Sequence, residues 1–212
     1  MPNTYMDPLE ATHHLRKVDP RFNHLIDTHG PPEIQRTRNT FKSLVHTIIY
    51  QQLSGKVASV IYKRFLNLFP TSHFPTPKQV QQVSIVKLQT AGLSIQKATT
   101  IHELSDQYIQ GNIRPRRFRY MNTDEITHML TKVKGIGDWT ASMFLMFSLN
   151  HPDILPVGDL GIRKGIQKLC GLEKLPNSIT MLQIAEPWRP FRTAASWYLW
   201  RLLETKPELT GT

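Results

Sequence analysis

The chain has one cysteine, Cys170, in 212 residues, which excludes an intrachain disulfide, a cysteine-based zinc finger and a four-cysteine iron–sulfur cluster. Long apolar runs are missing too: no stretch approaches the ~18 residues that a membrane-spanning helix needs. The opening MPNTYMDPLEATHHLRK has no basic start followed by an apolar segment. These absences describe a soluble protein of a reducing, intracellular setting, with no membrane partner. Strand-like alternation of polar and apolar residues is absent, as are internal repeats and low-complexity tracts. The nine histidines show no zinc-ligand spacing. Negative charge is scarce, with 16 Asp and Glu against 26 Lys and Arg and a formal charge of +10. That surplus points to a polyanionic partner without saying which.

What is present is helical spacing. Apolar residues at 41, 44, 45, 48 and 49, and again at 57, 60, 61, 65 and 68, predict two helices on either side of a tight break at Leu53-Ser54-Gly55. Thr76-Pro77, Ser84 and Ser94 read as helix starts, with Gly92 and Gly111 as stops. Arg114-Pro115-Arg116-Arg117-Phe118-Arg119 reads as a basic loop, and Thr123 as the cap of a helix carrying Ile126, Met129, Leu130 and Val133. Trp139 to Leu149 is apolar almost all round, as a buried helix is. A helix from Leu160 to Cys170 closed by Gly171 follows, then a last one opened by Pro190 and running through Leu203. Residues 1–38 are polar and broken at Asp19-Pro20 and Pro31-Pro32; one short docked helix around Phe22 to Thr28 is expected there, with loose ends. The chain reads as all-α with nine or ten helices, an N-terminal segment, 1–38, packing on a helical body, 39–212.

Between two of these helices the chain stops for Gly135-Ile136-Gly137, preceded by Lys132 and Lys134. Glycine takes φ > 0 without steric cost, so two glycines around one apolar residue let the chain reverse while amides point outward. At the start of the next helix those amides are unpaired and lie at the positive end of the helix dipole, which suits a phosphate. A tight turn anchored by Ile136 is the other reading of the same residues. Asp138 in the first turn would cap the helix but repel a phosphate. Asp159 precedes an apolar periodic run and reads as an N-cap; a capping carboxylate is also a rigidly held one.

The pattern Leu130-x-x-Val133-x-Gly135-Ile136-Gly137-x-x-Thr140-Ala141, with Leu155-Pro156-Val157-Gly158-Asp159-Leu160-Gly161-Ile162-Arg163 downstream, resembles the helix-hairpin-helix DNA glycosylase superfamily. Ile49-Tyr50-Gln51-Gln52-Leu53-Ser54-Gly55-Lys56, Ala91-Gly92-Leu93-Ser94 with Lys97, and Trp188-Arg189-Pro190-Phe191-Arg192-Thr193-Ala194-Ala195 through Trp200 narrow the resemblance. It is to the 3-methyladenine DNA glycosylase II (alkylbase DNA glycosylase) family, over about residues 40 to 203, in the short form without an N-terminal α/β domain. The resemblance implies a two-lobed helical bundle of the helix-hairpin-helix DNA glycosylase type, its hairpin within 123–150. It implies base-excision repair by a monofunctional enzyme that hydrolyses the N-glycosidic bond of alkylated bases such as 3-methyladenine in double-stranded DNA and leaves an abasic site. Bifunctional relatives place a nucleophilic lysine where this chain has Trp139, so no lyase step is implied.

Carried over residue by residue, the resemblance makes Asp159 the catalytic carboxylate. Trp139, Met143 and Trp200 become the base pocket, Met143 standing where some members have a tyrosine. Lys132, Lys134, Gly135, Ile136, Gly137 and Thr140 become the DNA-binding hairpin. Gln52, Leu53, Ser54, Gly55 and Lys56 match a minor-groove wedge, with Leu53 the apolar candidate for insertion; packing between two helices is its other reading. Arg163, Lys164, Arg189 and Arg192 are candidates for phosphate contacts, or a solvated helix face, while Trp197 and Tyr198 read as core. No cofactor and no side-chain metal site is required, although the family allows a monovalent cation on hairpin carbonyls around Lys134 and Gly137. A monomer is expected, in the nucleus if the host is eukaryotic. Asp138, the small Ser54 and Met143 keep a second reading open, a homologue that binds damaged or abasic-site DNA and excises little or nothing.

Overall fold

The computed structural model describes residues 5–34, 36–70 and 73–204. They fall into two compact units, one of Thr37–Phe144 and one that joins the residues up to Arg36 to those from Leu145 onward. Among the described residues there is no strand, and no helix is long and apolar enough to cross a membrane.

The N-terminal segment holds two helices where one was expected. α1, Pro8–Val18, is started by Asp7, whose carboxylate accepts the N–H groups of Leu9 and Glu10, with Pro8 in the first turn. It buries only Ala11 and Leu15, too narrow a stripe for periodicity to register, so the loose end read from its polar composition is corrected. A 3-10 turn, Pro20–Phe22, leads into α2, Asn23–His29. Between α1 and that turn, the buried Asp19 takes Arg21 Nε and Nη2, each at 2.7 Å, and the Trp188 indole N–H at 2.8 Å. Burial pushes the Asp19 carboxyl up, but the bonds from Arg21 and Trp188 outweigh it and hold it below the usual carboxylate range.

The unit Thr37–Phe144 contains α3 (Thr40–Tyr50), α4 (Gly55–Leu66), α5 (Pro77–Gln81), α6 (Ile85–Gln89), α7 (Ile95–Ile109), α8 (Thr123–Thr131) and the part of α9 (Asp138–Phe147) up to Phe144. The first six are capped alike: Asn39, Ser54, Thr76, Ser84, Ser94 and Asn122 each accept the N–H of the residue three further on. The cap of α8 is therefore Asn122, in a reciprocal box with Glu125, and Thr123 is the first helical residue. The expected basic loop is a 3-10 turn, Pro115–Tyr120, wound around the buried Phe118. α4 buries only part of the stripe its spacing predicted, Phe65 among it. Ala58 and Phe65 are buried, whereas Val57 and Val60 are 48% and 45% exposed.

In the other unit α10 (Leu160–Cys170) is closed by Gly171 at φ 63°, and α11 (Ser178–Ile184) is a short helix absent from the sequence-based expectation. α12 (Arg192–Glu204) starts two residues beyond Pro190, and its residues from Arg192 to Leu199 are all buried. Trp188, Tyr198 and Phe22 are large, fully buried members of this core, and Trp197 is buried with them. α10 lies against α12 at Gly165, where a Cβ would sit 2.9 Å from the Leu199 carbonyl oxygen. Backbone meets backbone there only because the side chain is missing.

Candidate functional site

The glycine hairpin is built on two buried anchors, Val133 and Ile136, joined by the Ile136 N–H to Val133 carbonyl bond at 3.0 Å. Gly135 between them has φ 92°, and a Cβ there would lie 1.9 Å from Thr100 Oγ1. Glycine is required twice over, by conformation and by space. Gly137 is different. Its φ is not positive, and nothing lies within 4 Å of where its Cβ would be. No internal constraint calls for glycine at 137, so the expected pair of left-handed glycines is one; the second keeps the backbone bare on the outside. Lys132, Lys134 and Asp138 are exposed around it.

Thr140, expected among the residues facing DNA, is 2% exposed, and its hydroxyl accepts Gln51 Nε2 at 2.8 Å. Its work is internal, because the same Gln51 amide reaches the Gly135 carbonyl at 3.4 Å and ties the loop after α3 to the hairpin. That loop is fixed from behind by Lys97, whose Nζ donates to the carbonyls of Ile49 and Gln51 at 2.8 and 2.7 Å. Burial pushes the Lys97 amine below its ordinary range. Gln52 follows with φ 54°, a left-handed conformation uncommon for a non-glycine residue. Leu53 is 37% exposed rather than packed between helices, Ser54 caps α4, and Gly55 and Lys56 are exposed. Trp139 is half-buried near the start of α9, and Met143 is buried a turn later.

Charge is distributed unevenly between the two units. Residues 37–144 contain 14 Lys and Arg against 5 Asp and Glu, so nine of the ten surplus positive charges belong to the unit that carries the hairpin.

In the other unit Asp159 caps α10. Its Oδ1 accepts two bonds, from Ile162 N–H at 2.8 Å and from the Trp200 indole Nε1 at 3.0 Å. Gly161 makes room for this. A Cβ there would lie 2.9 Å from Asp159 Oδ1 and 2.9 Å from Trp200 Cδ1 and Nε1. The Trp200 ring in turn lies beside Phe147, centroids 5.7 Å apart and 31° tilted. Phe147 is 40% exposed, an aromatic that the sequence reading passed over as part of a buried helix; Phe147 and Gly161 are the additions to the candidate set.

The four expected phosphate ligands divide. Arg192 is buried, and its Nε and Nη2 hold both carboxylate oxygens of Asp153. The phosphate role for Arg192 is corrected: a buried guanidinium neutralising a half-buried carboxylate would leave an uncompensated charge if it swung outward. Arg189 is committed to Asp153 at 2.7 Å and Glu186 at 3.1 Å, and Arg163 donates to the Pro176 carbonyl at 3.1 Å. Lys164 is exposed. Among the described residues no cluster of three His, Cys, Asp or Glu could hold a metal ion.

Residues 45–190 match the family described as HhH-GPD superfamily base excision DNA repair protein. The chain is 33% identical over 196 residues to DNA-3-methyladenine glycosylase 1 of Schizosaccharomyces pombe, covering 91% of this chain and 86% of that one. It is 27% identical over 200 residues to the alkylbase DNA glycosidase-like protein mag2 of the same organism, covering 92% and 94%. Its fold superposes on the solved 3-methyladenine DNA glycosylase (Mag1) of S. pombe in complex with abasic DNA with a TM-score of 0.86 at 32% identity, over 92% of this chain and 97% of that one. A DNA-3-methyladenine glycosidase from Bacillus halodurans gives a TM-score of 0.79 at 33% identity, over 97% and 94%. By sequence, fold and hairpin together, the chain belongs to the HhH-GPD superfamily of base excision DNA repair proteins.

Proposed function

We propose that this chain is a monofunctional DNA glycosylase that hydrolyses the N-glycosidic bond of alkylated bases such as 3-methyladenine in duplex DNA, leaving an abasic site. It acts as a monomer inside the cell, in the nucleus of a eukaryotic host. The observation that carries the reading is the Asp159 carboxylate, held on one oxygen by two N–H donors at the head of α10. The names of the relatives support the substrate class.

Reaching a sugar carbon inside the stack requires the nucleotide to be extruded, at a cost of a few kcal/mol. The bare amides at Gly137, with Lys132 and Lys134, hold a phosphate, and Leu53 fills the gap left in the stack. Trp139 and Met143 in one unit, and Trp200 in the other with Phe147 beside it, keep the base-binding roles that the resemblance implies. An alkylated purine is cationic and gains attraction to aromatic faces that an ordinary base lacks.

The C–N bond then breaks with its electron pair going to the base, which leaves neutral and needs little acid assistance. Positive charge develops on the sugar as an oxocarbenium-like species. Asp159 as carboxylate stabilises that charge, and water adds to the sugar carbon and releases a proton to the solvent. A monovalent cation at the hairpin would have to share carbonyls already engaged, since that of Gly137 accepts from Ala141 N–H and that of Gly135 from Gln51.

The test is base release from methylated duplex DNA by the wild-type protein and by Asp159→Asn, with binding to an abasic-site duplex measured on the same samples. Release that vanishes in the variant while binding persists is expected; unchanged release would overturn the assignment. A second reading, damage recognition without excision, is favoured by one observation, the exposed Asp138 in the first turn of α9. Tight abasic-site binding by a wild-type protein that releases no base would establish it instead.

A further inference from the structure

The 3-10 turn Pro115–Tyr120 takes no part in the chemistry above, yet it concentrates charge. Arg116, Arg117 and Arg119 are all exposed, and none has a carboxylate partner among the described residues. The nearest acids in sequence are Asp124 and Glu125, and Glu125 is taken by the Asn122 N–H at 2.8 Å. The turn is not a loose tail. Phe118 is 1% exposed and its ring meets Phe144 with centroids 5.3 Å apart. Tyr120 is 74% exposed with the Arg119 guanidinium 4.5 Å from its ring centroid, a stack that holds a planar donor ready for an oxyanion.

We propose that this turn is a second DNA contact, gripping phosphates of the duplex flanking the nucleotide held at the hairpin; the proposal rests on the DNA-binding reading given above. Two distances support it. The turn is joined to the hairpin by α8, whose nine residues span about 14 Å at 1.5 Å each. Its anchor Phe144 lies about 10 Å along α9 from Gly137 by the same rise. With 3.4 Å per base pair, a separation of about 10 to 14 Å is about three to four base pairs, which is under half a turn of a duplex held at the hairpin. The guanidiniums carry no base-reading geometry of their own, so the contact positions DNA without specifying sequence.

The experiment uses two duplexes of equal length with an abasic site near one end or near the other, so that only one of them extends over the turn. Binding is measured across a salt series for the wild-type protein and for R116Q/R117Q/R119Q. The wild-type protein is expected to prefer one orientation, and the variant to lose that preference. On the preferred duplex the variant binds roughly tenfold weaker at low salt, and its slope of log K against log salt is shallower by about 2 to 3. Single-turnover release from the saturated complex is unchanged. Arg117→Gln alone, expected to remove about a third of the slope change, keeps the test open should the triple variant fold poorly. Equal affinity and slope for variant and wild type in both orientations, or an equal loss in both, would overturn the proposal. Failure of the wild-type protein to bind either duplex would instead strike at the DNA-binding reading itself.

Discussion

Trp200 donates its indole N–H to Asp159 Oδ1 at 3.0 Å, across the gap that Gly161 leaves open. The ring is thereby a positioning group for the carboxylate as well as an aromatic face. Trp200→Phe keeps the face and removes the donor, and the expected result is a single-turnover release rate about 10- to 100-fold lower, the kinetic equivalent of a hydrogen bond to a charged group. Affinity for an abasic-site duplex should be little altered; a variant that binds poorly and cleaves normally once saturated would reduce Trp200 to a stacking surface.

Gly161→Ala tests the same triangle from its third corner. The added methyl group would stand 2.9 Å from both the carboxylate oxygen and the indole, and one of them must move. A displacement of about 1 Å at a reacting group costs on the order of 100-fold in rate. Release by this variant at the wild-type rate would show that the triangle has slack.

The two hairpin glycines should part company on substitution. Gly135→Ala meets Thr100 Oγ1 and is forced into φ 92°, so a loss of about 2 kcal/mol or more in unfolding free energy is expected. Thr100→Ala in the same chain should restore only the steric part, leaving roughly the 1–2 kcal/mol of a left-handed alanine. Gly137→Ala should leave the melting temperature alone and weaken DNA binding, since its Cβ would meet nothing inside the protein. Denaturant titration and abasic-site binding on the three variants separate the two effects.

Acid should destabilise the fold in two stages. Burial, with Lys42 adding to it, depresses His46, and burial also depresses His151 against the opposing charge of Asp153. The unfolded chain therefore takes up these protons first, and the histidine contribution, complete above 6.5, is lost as pH falls below it. The Asp19 carboxyl is held below 3.8 in the folded state, so its contribution is present above that value and disappears on further acidification. Melting temperatures measured against pH should show both stages. His46→Phe should shrink the first, and Asp19→Asn should remove the second at the expense of stability near neutrality.

Lys97→Met removes the two donors on the carbonyls of Ile49 and Gln51 while keeping most of the apolar stem. The expected cost is about 1–3 kcal/mol, the range for partly buried acceptors left unpaired, read as a lower denaturation midpoint. Loss of stability without any loss of abasic-site affinity would mean that the loop at Gln52 and Leu53 does not depend on this support.

The sequence disclosed the elements whose physics is local and failed where partners decide. Gly135, the caps at Thr76, Ser84 and Ser94, and Asp159 at the head of α10 each act within a few residues of themselves, and each was legible. α1 was not, because Ala11 and Leu15 are its only buried side chains and its surface is polar. The face of α4 was misjudged in part because Val57 and Val60 look like core yet are exposed, as Leu53 is, while Phe65 is buried as its spacing predicted. Arg192 read as a phosphate ligand since nothing in its own neighbourhood announces Asp153, thirty-nine residues earlier. Phe147 was hidden by the opposite effect, an apolar residue in an apolar helix whose exposure only the fold sets.

The bridge from Gln51 to Thr140 and Gly135 makes the Leu53 loop and the glycine turn a single calliper with a preset gap. A protein that must try very many base pairs to find one damaged base repeats its first touch far more often than its chemistry. With the calliper already set during folding, the grip proposed above would not require the loop to be ordered afresh at each trial.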